Sequence, residues 1–565
     1  MNANESTVDE VNQAIELVAS KKDEWAKLPV AQKVTLLERC LALLGNEVEP
    51  WVRTACEQHG YEYDNPEHAH LRGETYMKGP AMFAGFLWSV LFLYQNLAKE
   101  RKPPAPLKVV QRGNGQLAVK VFPWGNLESA LAGGGEGYVY VSPDHKQVTQ
   151  TDPTTKPAGL CGVLGAGNFD APTDILDALF MDNKVVVFKP NPVNGATAKH
   201  SIKVLAPLVE AGYVRYIYGA VNPGKTLTTS PKVDELLMTG SCMTYDAIVW
   251  GPGNKNKAGA QKLVTKPFRA ELGSVNPYII VPGVWSDKEL EAHAQQLAAV
   301  KWFNNAHICA SPQVVVTAKN WPQREKFLKR VRELLAEHPG GRPYYPNWDK
   351  SFNEQKQKLE EDKQRDAGDL VVKQKKQLFD TQPGVLFATG VSQDAFALQK
   401  EAFCPVLVEH PIDGPATAAE FVPRAVKLAN DRVWGSLTCT LIVDPKTEAA
   451  NLAVIDKAID DLQFGAIGIN QWAGINVSFP AVTWGAFPRH TPEDVRSGIG
   501  KMGNTFCVDG VEKGVIRMPF VNPGLLKVPS DKQAMLKQAQ RFCEFQNRHS
   551  TWSFVKLLVN ALTGL

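Results

Sequence analysis

The sequence predicts an α/β fold of several domains: a parallel sheet covered on both faces, a second α/β domain, a small β arm and a helical C-terminal tail. Three observations predict it. From Gly159 onward, short strand runs that are apolar throughout alternate with amphipathic helices, the pattern of a parallel sheet buried between helical layers. The 565 residues exceed what one ordinary core organises, so two or more domains are expected. Cys309 stands between the polar turn "FNNAHI" and the β-forming run "QVVVTA". That is the setting of an exposed element end, where a thiol can meet an electrophile.

The first hundred residues read as helices, because "VNQAIELVASKKDEWAKL" and "VAQKVTLLERCLALL" repeat apolar residues three and four apart. Gly79 to Ala98 then carries no charged side chain and ends in the basic, proline-rich "KERKPP". Its length is near the minimum that spans a bilayer, yet Ser89, Gln95 and Asn96 favour a buried or interfacial helix. Next, "NGQLAVKVFPW" and "GYVYVSPDHKQVTQTDP" alternate like strands around "AGGGEG", whose glycines permit a turn or a flexible crossover.

In the α/β region the strands are "GLCGVLGAG", "KVVVFKP", "VRYIYGA" and "ELLMTGS", with helices through "PTDILDALFMD" and "ATAKHSIKVLAPLVEAG". This is a nucleotide-binding pattern. The second half repeats the style with "PYIIVPG", a helix through "KELEAHAQQLAAVKWF" and "QVVVTA", whereas "NEQKQKLEEDKQRDAGDL" reads as a solvated helix face. A strand, "GVIRMPF", follows Val511, and a helical tail starts near Lys527. In that tail Phe554, Val555, Leu558, Ala561, Leu562 and Leu565 share one helical face, while Lys556, Asn560 and Thr563 share another. Such a helix suits a groove in its own fold, a partner subunit or a membrane surface.

A formal charge of +3 with interleaved signs leaves no extended basic face for nucleic acid. The nine cysteines are scattered, odd in number and without a C-x-x-C or a histidine at zinc spacing, so no metal site is expected and the thiols read as reduced. The polar, acidic start lacks the features of a signal peptide. A cytoplasmic protein is expected, with peripheral membrane contact left open by the two apolar helices.

Four positions carry candidate chemistry. Lys189 ends a buried strand, where an open parallel sheet presents its carboxyl edge to ligand; a lysine snorkelling off a strand end is the plainer alternative. No G-x-G-x-x-G follows the first α/β strand, although Gly162, Gly165 and Gly167 permit close backbone approach. Glu271 precedes a small-residue turn, placed either to cap local amides or to transfer protons. Glu401 and Phe403 put a carboxylate beside an aromatic ring ahead of a Cys-Pro break.

In this order and spacing the segments resemble the NAD(P)-dependent aldehyde dehydrogenase superfamily, from about Pro157 to about Pro488. "ELGSVNP" resembles its E-L-G-G-x-x-P signature and "FNNAHICAS" its cysteine signature; "KEAFCPV", "VFKPNP" and "LMTGS" match its E-x-F-G-P-V, lysine-proline and F-T-G-S segments. The resemblance implies that Cys309 is the nucleophile toward an aldehyde, Asn168 the oxyanion donor and Glu271 the general base. It implies that Lys189 and Glu401 bind cofactor ribose, Phe403 packs beside nicotinamide, Ser241 meets the pyrophosphate and Gly219 belongs to the same site. NAD or NADP is the implied cofactor, and Pro192, where a ribose-binding Glu is common, leaves the 2′-phosphate admissible.

The implied division is a cofactor-binding domain at 1–134 and 156–271 and a catalytic domain at 272–504. An oligomerisation arm at 135–155 and 505–520 and a helical extension at 521–565 complete it. A homodimer or higher assembly is implied by the arm. Departures from the family pattern are Gly167 in place of tryptophan, which is expected to open one tunnel wall, Ala306 for Gly, His307 for Gln, Val314 for Arg and Cys404 for Gly. Trp302, Phe303, Trp472, Trp484 and Phe487 suggest an aromatic-lined pocket for an apolar aldehyde, with ordinary core packing as the alternative for each. The expected reaction is oxidation to the acid; a non-catalytic scaffold keeping the fold is the competing expectation.

Overall fold

The computed structural model describes residues 5–253, 260–521 and 527–563. Two sheets organise them. The first has six strands in the order Gly498–Ile499, Phe268–Leu272, Glu235–Gly240, Gly159–Leu164, Lys184–Lys189, Val214–Tyr216. All pairings but the first are parallel. Every residue of Gly159–Leu164 and Lys184–Lys189 is buried, which is why those runs read as continuously apolar.

The second sheet has eleven strands. Its parallel centre carries Asn276–Ile280 and Pro312–Ala318, the strands that lead into and out of the sequence signatures. At one side Val511–Arg517 pairs antiparallel with Glu136–Val141, and the sheet continues through Leu117–Phe122 to Lys108–Gln111. Three strands therefore differ from the expected division. Lys108–Gln111 and Leu117–Phe122 join the arm instead of the cofactor-binding sheet, and Gly498–Ile499, from the catalytic stretch, completes the cofactor-binding sheet.

The strand expected over residues 137–153 ends at Val141. Ser142 and Pro143 turn the chain there, with the His145 N–H donating to the Ser142 carbonyl, because proline supplies no ladder donor. Instead of a plain glycine crossover, a short helix, Asn126–Ala132, precedes the glycines.

The apolar front segment is a core helix. Residues 66–100 form one helical run, long and apolar enough by composition to cross a membrane, yet its most apolar window is mostly buried inside the fold. Phe83, Leu87, Val90 and Tyr94 pack in one cluster with the first sheet. Its polar residues have local uses, since the Ser89 hydroxyl meets Thr505 at 2.9 Å and Tyr94 donates to the Phe180 carbonyl at 2.9 Å. Near its start the run widens into a π turn, Met77–Ala81, around Pro80.

The tail forms helices Lys532–Arg548 and Thr551–Thr563. Leu536, Ala539 and Cys543 of the first pack against Leu71, Tyr76 and Ala81 of the front run. In the second, the buried positions are Ser553, Phe554, Leu557 and Asn560, so the inward face differs from the one expected. Phe545 on the preceding helix draws in Phe554 and Leu557, which leaves Trp552, Val555, Leu558 and Val559 exposed. Leu565 and the Leu562 side chain lie outside the described residues.

Candidate active site

The helix Asp287–Trp302 delivers the chain to the cysteine loop. Immediately after it, Asn304, Asn305 and Ala306 adopt φ of +51°, +54° and +60°. A left-handed L-residue costs about 1–2 kcal/mol and ordinarily occurs singly, so three in succession require surroundings that over-determine them. Those surroundings are polar and buried. The Asn304 N–H donates to Glu74 Oε2 at 2.9 Å, and its Oδ1 accepts from Lys78 Nζ at 3.2 Å and from the Tyr344 hydroxyl at 3.0 Å. Asn305 Nδ2 donates to the Tyr61 hydroxyl at 2.8 Å and to the Arg342 carbonyl at 3.2 Å.

Cys309 sits next on a pinned backbone. Its carbonyl accepts from Asn276 Nδ2 at 2.8 Å, and the next carbonyl, of Ala310, accepts from the Trp472 indole at 2.9 Å. Beneath the loop, buried Lys301 donates to Ser311 Oγ at 3.0 Å and to the Pro312 carbonyl at 3.1 Å. Val314 is apolar and buried, and burial lowers the Lys301 pKa to about 7.

Glu271 lies near the carboxyl end of Phe268–Leu272 and is buried. The Trp484 indole donates to its Oε1 at 3.2 Å, and the Cys309 thiol lies close enough to act on the same carboxylate. Burial pushes the Glu271 carboxyl up to about 7, more than these two donors pull it down. Desolvation, then the charge of Glu271, pushes the Cys309 thiol well above its ordinary value. The resting pair is thus a thiol held against a carboxylate that can take its proton.

His307 is fully buried, and its Nδ1 stands 2.8 Å from the Phe403 carbonyl. Burial lowers its pKa to about 4, so the neutral ring donates to that carbonyl. That contact ties the cysteine loop to the loop that carries Phe403. The His307 carbonyl accepts from both Asn168 Nδ2 at 3.0 Å and Asn304 Nδ2 at 3.1 Å. An amide nitrogen carries two hydrogens, which leaves Asn168 one N–H for the cavity that it lines together with Cys309.

The cavity beside the thiol has a volume of about 640 Å³. Phe303, Trp472 and Trp484 cluster beside Cys309 in its lining; Met82 of the front run and Met535, Phe542 and Leu557 of the tail line it as well, together with polar tail residues such as Asp531 and Gln538. Trp302 points elsewhere, donating to the Leu335 carbonyl at 3.0 Å, and Phe487 lies beside Lys513. Gly167 does not open a wall. A Cβ there would meet Asn191 Cγ and the Tyr345 hydroxyl, each at 2.8 Å, so Tyr345 fills the space expected to be empty.

The residues expected to hold a cofactor fall into two sets. At the carboxyl edge of the six-stranded sheet, Lys189 Nζ donates to the Gly219 carbonyl at 2.9 Å, with Gly219 at φ +120°. Two strands away, beyond Gly159–Leu164, Ser241 follows Glu235–Gly240 and caps the helix Cys242–Trp250, accepting from the Thr244 N–H at 3.1 Å. The second set sits with the cysteine loop. Glu401 Oε1 accepts from the Ser274 N–H at 3.1 Å, and its carboxylate packs so tightly on Gly273 that a Cβ there would stand 1.8 Å away. Desolvation raises the Glu401 carboxyl to about 8. Phe403, at φ +49°, meets Tyr345 edge to face with ring centroids 4.9 Å apart. Tyr345 therefore stands between the two sets.

Sequence reasoning missed Lys78, Glu74, Asn304, Tyr344 and Tyr345. The Asn-Asn pair was the one available signal, since asparagine tolerates left-handed backbone. No group of three or more histidine, cysteine, aspartate or glutamate side chains that could hold a metal ion occurs among the described residues.

The sequence model of the aldehyde dehydrogenase family matches residues 132–485, more than half of the chain. An N-succinylglutamate 5-semialdehyde dehydrogenase from Sphingopyxis alaskensis is 27% identical over 196 residues, which cover 33% of this chain and 38% of that protein's length. Lactaldehyde dehydrogenase from Escherichia coli superposes with a TM-score of 0.60 at 17% identity, covering 89% of this chain and 91% of that one. An NADP-dependent glyceraldehyde-3-phosphate dehydrogenase from Bacillus halodurans, solved with NADP, does so with a TM-score of 0.59 at 16% identity, covering 90% and 91%. The structural likenesses carry the fold, and the family match spans the segments that hold Asn168, Lys189, Glu271, Cys309 and Glu401. The chain belongs to the aldehyde dehydrogenase family, the NAD(P)-dependent oxidoreductases that its motifs resemble.

Proposed function

We propose that this enzyme oxidises an apolar aldehyde, aliphatic or aromatic, to the carboxylic acid with NAD or NADP. The observation that carries the reading is the Cys309–Glu271 pair in the lining of a mainly apolar cavity. As sulfur attacks the aldehyde carbon, the thiol proton passes to Glu271 and a thiohemiacetal forms on Cys309. The remaining Asn168 N–H supports the oxygen as it gains charge. The bound dinucleotide supplies the hydride acceptor. Glu271 then gives the thiol proton up to solvent and, ionised again, removes a proton from water; the resulting hydroxide adds to the Cys309 thioester, the C–S bond breaks, the leaving thiolate takes the proton back from Glu271, and the acid departs with the thiol restored. Retention of both groups in contact supports an enzyme over a non-catalytic scaffold.

For the dinucleotide, the outer set of residues fits. Ser241 and the first amides of its helix suit a pyrophosphate, and Lys189 with Gly219 suits ribose oxygens at the sheet edge. At the cysteine loop Glu401 and Phe403 are the residues for the nicotinamide half, on the far side of Tyr345. A homodimer or higher assembly through the arm belongs to the same reading, supported by the exposed Val109 on the sheet's edge strand.

Replacing Glu271 by Gln tests the reaction. One hydride transfer followed by accumulation of an acyl adduct on Cys309, measured by intact mass, is the expected outcome. Steady-state turnover at the wild-type rate would contradict it.

A further inference from the structure

We propose that Lys78 is a positioning residue for the oxyanion side of this active site, acting through Asn304; this rests on the assignment of Cys309 and Asn168 made above. Lys78 lies in the π turn Met77–Ala81 of the front run and is 2% exposed. Its nearest strong acceptor is Asn304 Oδ1, at 3.2 Å. Glu74, four residues earlier on the same run, holds the Asn304 N–H at 2.9 Å. One helix thus grips both the backbone and the side chain of the first left-handed residue.

The orientation of the Asn304 amide decides whether that grip reaches the oxyanion donor. Its Nδ2 donates to the Asn168 carbonyl at 3.0 Å and to the His307 carbonyl at 3.1 Å, while Asn168 Nδ2 donates to the same His307 carbonyl at 3.0 Å. A flipped amide would set Oδ1 against two carbonyl oxygens. Tyr344 cannot prevent the flip alone, because its single hydroxyl hydrogen serves either Asn304 Oδ1 at 3.0 Å or the Asn168 carbonyl at 3.3 Å, and the hydroxyl can also accept. An ammonium group can only donate. Lys78 therefore fixes Oδ1, which directs Nδ2 onto the two carbonyls that frame the oxyanion donor. Desolvation lowers the Lys78 pKa, and nearby Asp170 and Glu74 favour its cationic form.

Two variants separate positioning from folding. Lys78→Met keeps the length and removes both the donor and a buried charge; Asn304→Gly keeps the left-handed backbone at no steric cost and removes the side chain. The readouts are kcat, KM for aldehyde and for cofactor, and the rate at which iodoacetamide alkylates Cys309. Both variants are expected to lower kcat by about 10- to 100-fold, less than outright loss of an oxyanion donor, with KM and alkylation unchanged. Tyr344→Phe is expected to lose less than Lys78→Met.

Wild-type kcat in either variant would overturn the proposal, as would kcat, KM and alkylation changing together or a larger loss in Tyr344→Phe. Full activity in Cys309→Ala or Asn168→Ala would instead defeat the catalytic reading on which the proposal rests. Loss in those two with wild-type kcat in Lys78→Met would defeat the positioning role alone.

Discussion

The cavity at Cys309 is mainly apolar, with Met82, Met535, Phe542 and Leu557 among its lining residues, whereas Glu74, Lys78, Asn168, Asn304 and Tyr344 form a buried polar lattice at the cysteine loop. The apolar surfaces draw on non-directional burial, which tolerates exchange of one hydrophobic side chain for another of similar volume. The polar wall holds three consecutive left-handed residues in place through directional hydrogen bonds. Under the proposed reaction, specificity for the size of the aldehyde is assigned to the first and rate to the second.

Substitutions on the two sides should therefore fail differently. The largest effect is expected in the polar wall: Asn168→Ala should lower kcat by roughly 10²–10³-fold with little change in KM. Steady-state kinetics read both, and a change confined to KM would contradict the division. Next is the pH profile. Glu271 acts as a base only when ionised, and burial raises its carboxyl to about 7, so kcat/KM should climb about tenfold per unit as pH rises toward 7 and level off above it. Glu271→Gln should remove that inflection; its survival would assign the titration to another group. The smallest effect is expected in the apolar wall, where Leu557→Trp should shift preference toward shorter aldehydes by about tenfold and leave kcat for short ones intact. A chain-length series reads this, and an equal loss for all lengths would contradict it.

The legibility of the two walls in the sequence obeys the same contrast. Sheet strands such as Lys184–Lys189 were readable because their burial is continuous, whereas Cys309 and Glu271 were singled out by segments that resemble the family signatures, Glu271 alone being equally consistent with capping local amides. Gly167 misled because a missing side chain says nothing about what fills its place, here Tyr345 from a distant loop. Lys78 gave no signal, being a single lysine at the edge of an apolar segment whose length suggested a membrane. The inward face of the last helix was misread because Phe545, on the helix before it, selects Phe554 and Leu557. Local periodicity cannot contain that choice.

The central claim is that Cys309 carries the chemistry in the lining of a mainly apolar cavity. It is tested most directly by following nicotinamide reduction with aliphatic and aromatic aldehydes, using NAD and NADP, on wild type and Cys309→Ala in parallel. Reduction by the wild type with apolar aldehydes, absent in Cys309→Ala while cofactor binding persists, is the predicted result. Equal reduction in both proteins, or cofactor binding with no reduction for any aldehyde in the wild type, would contradict it.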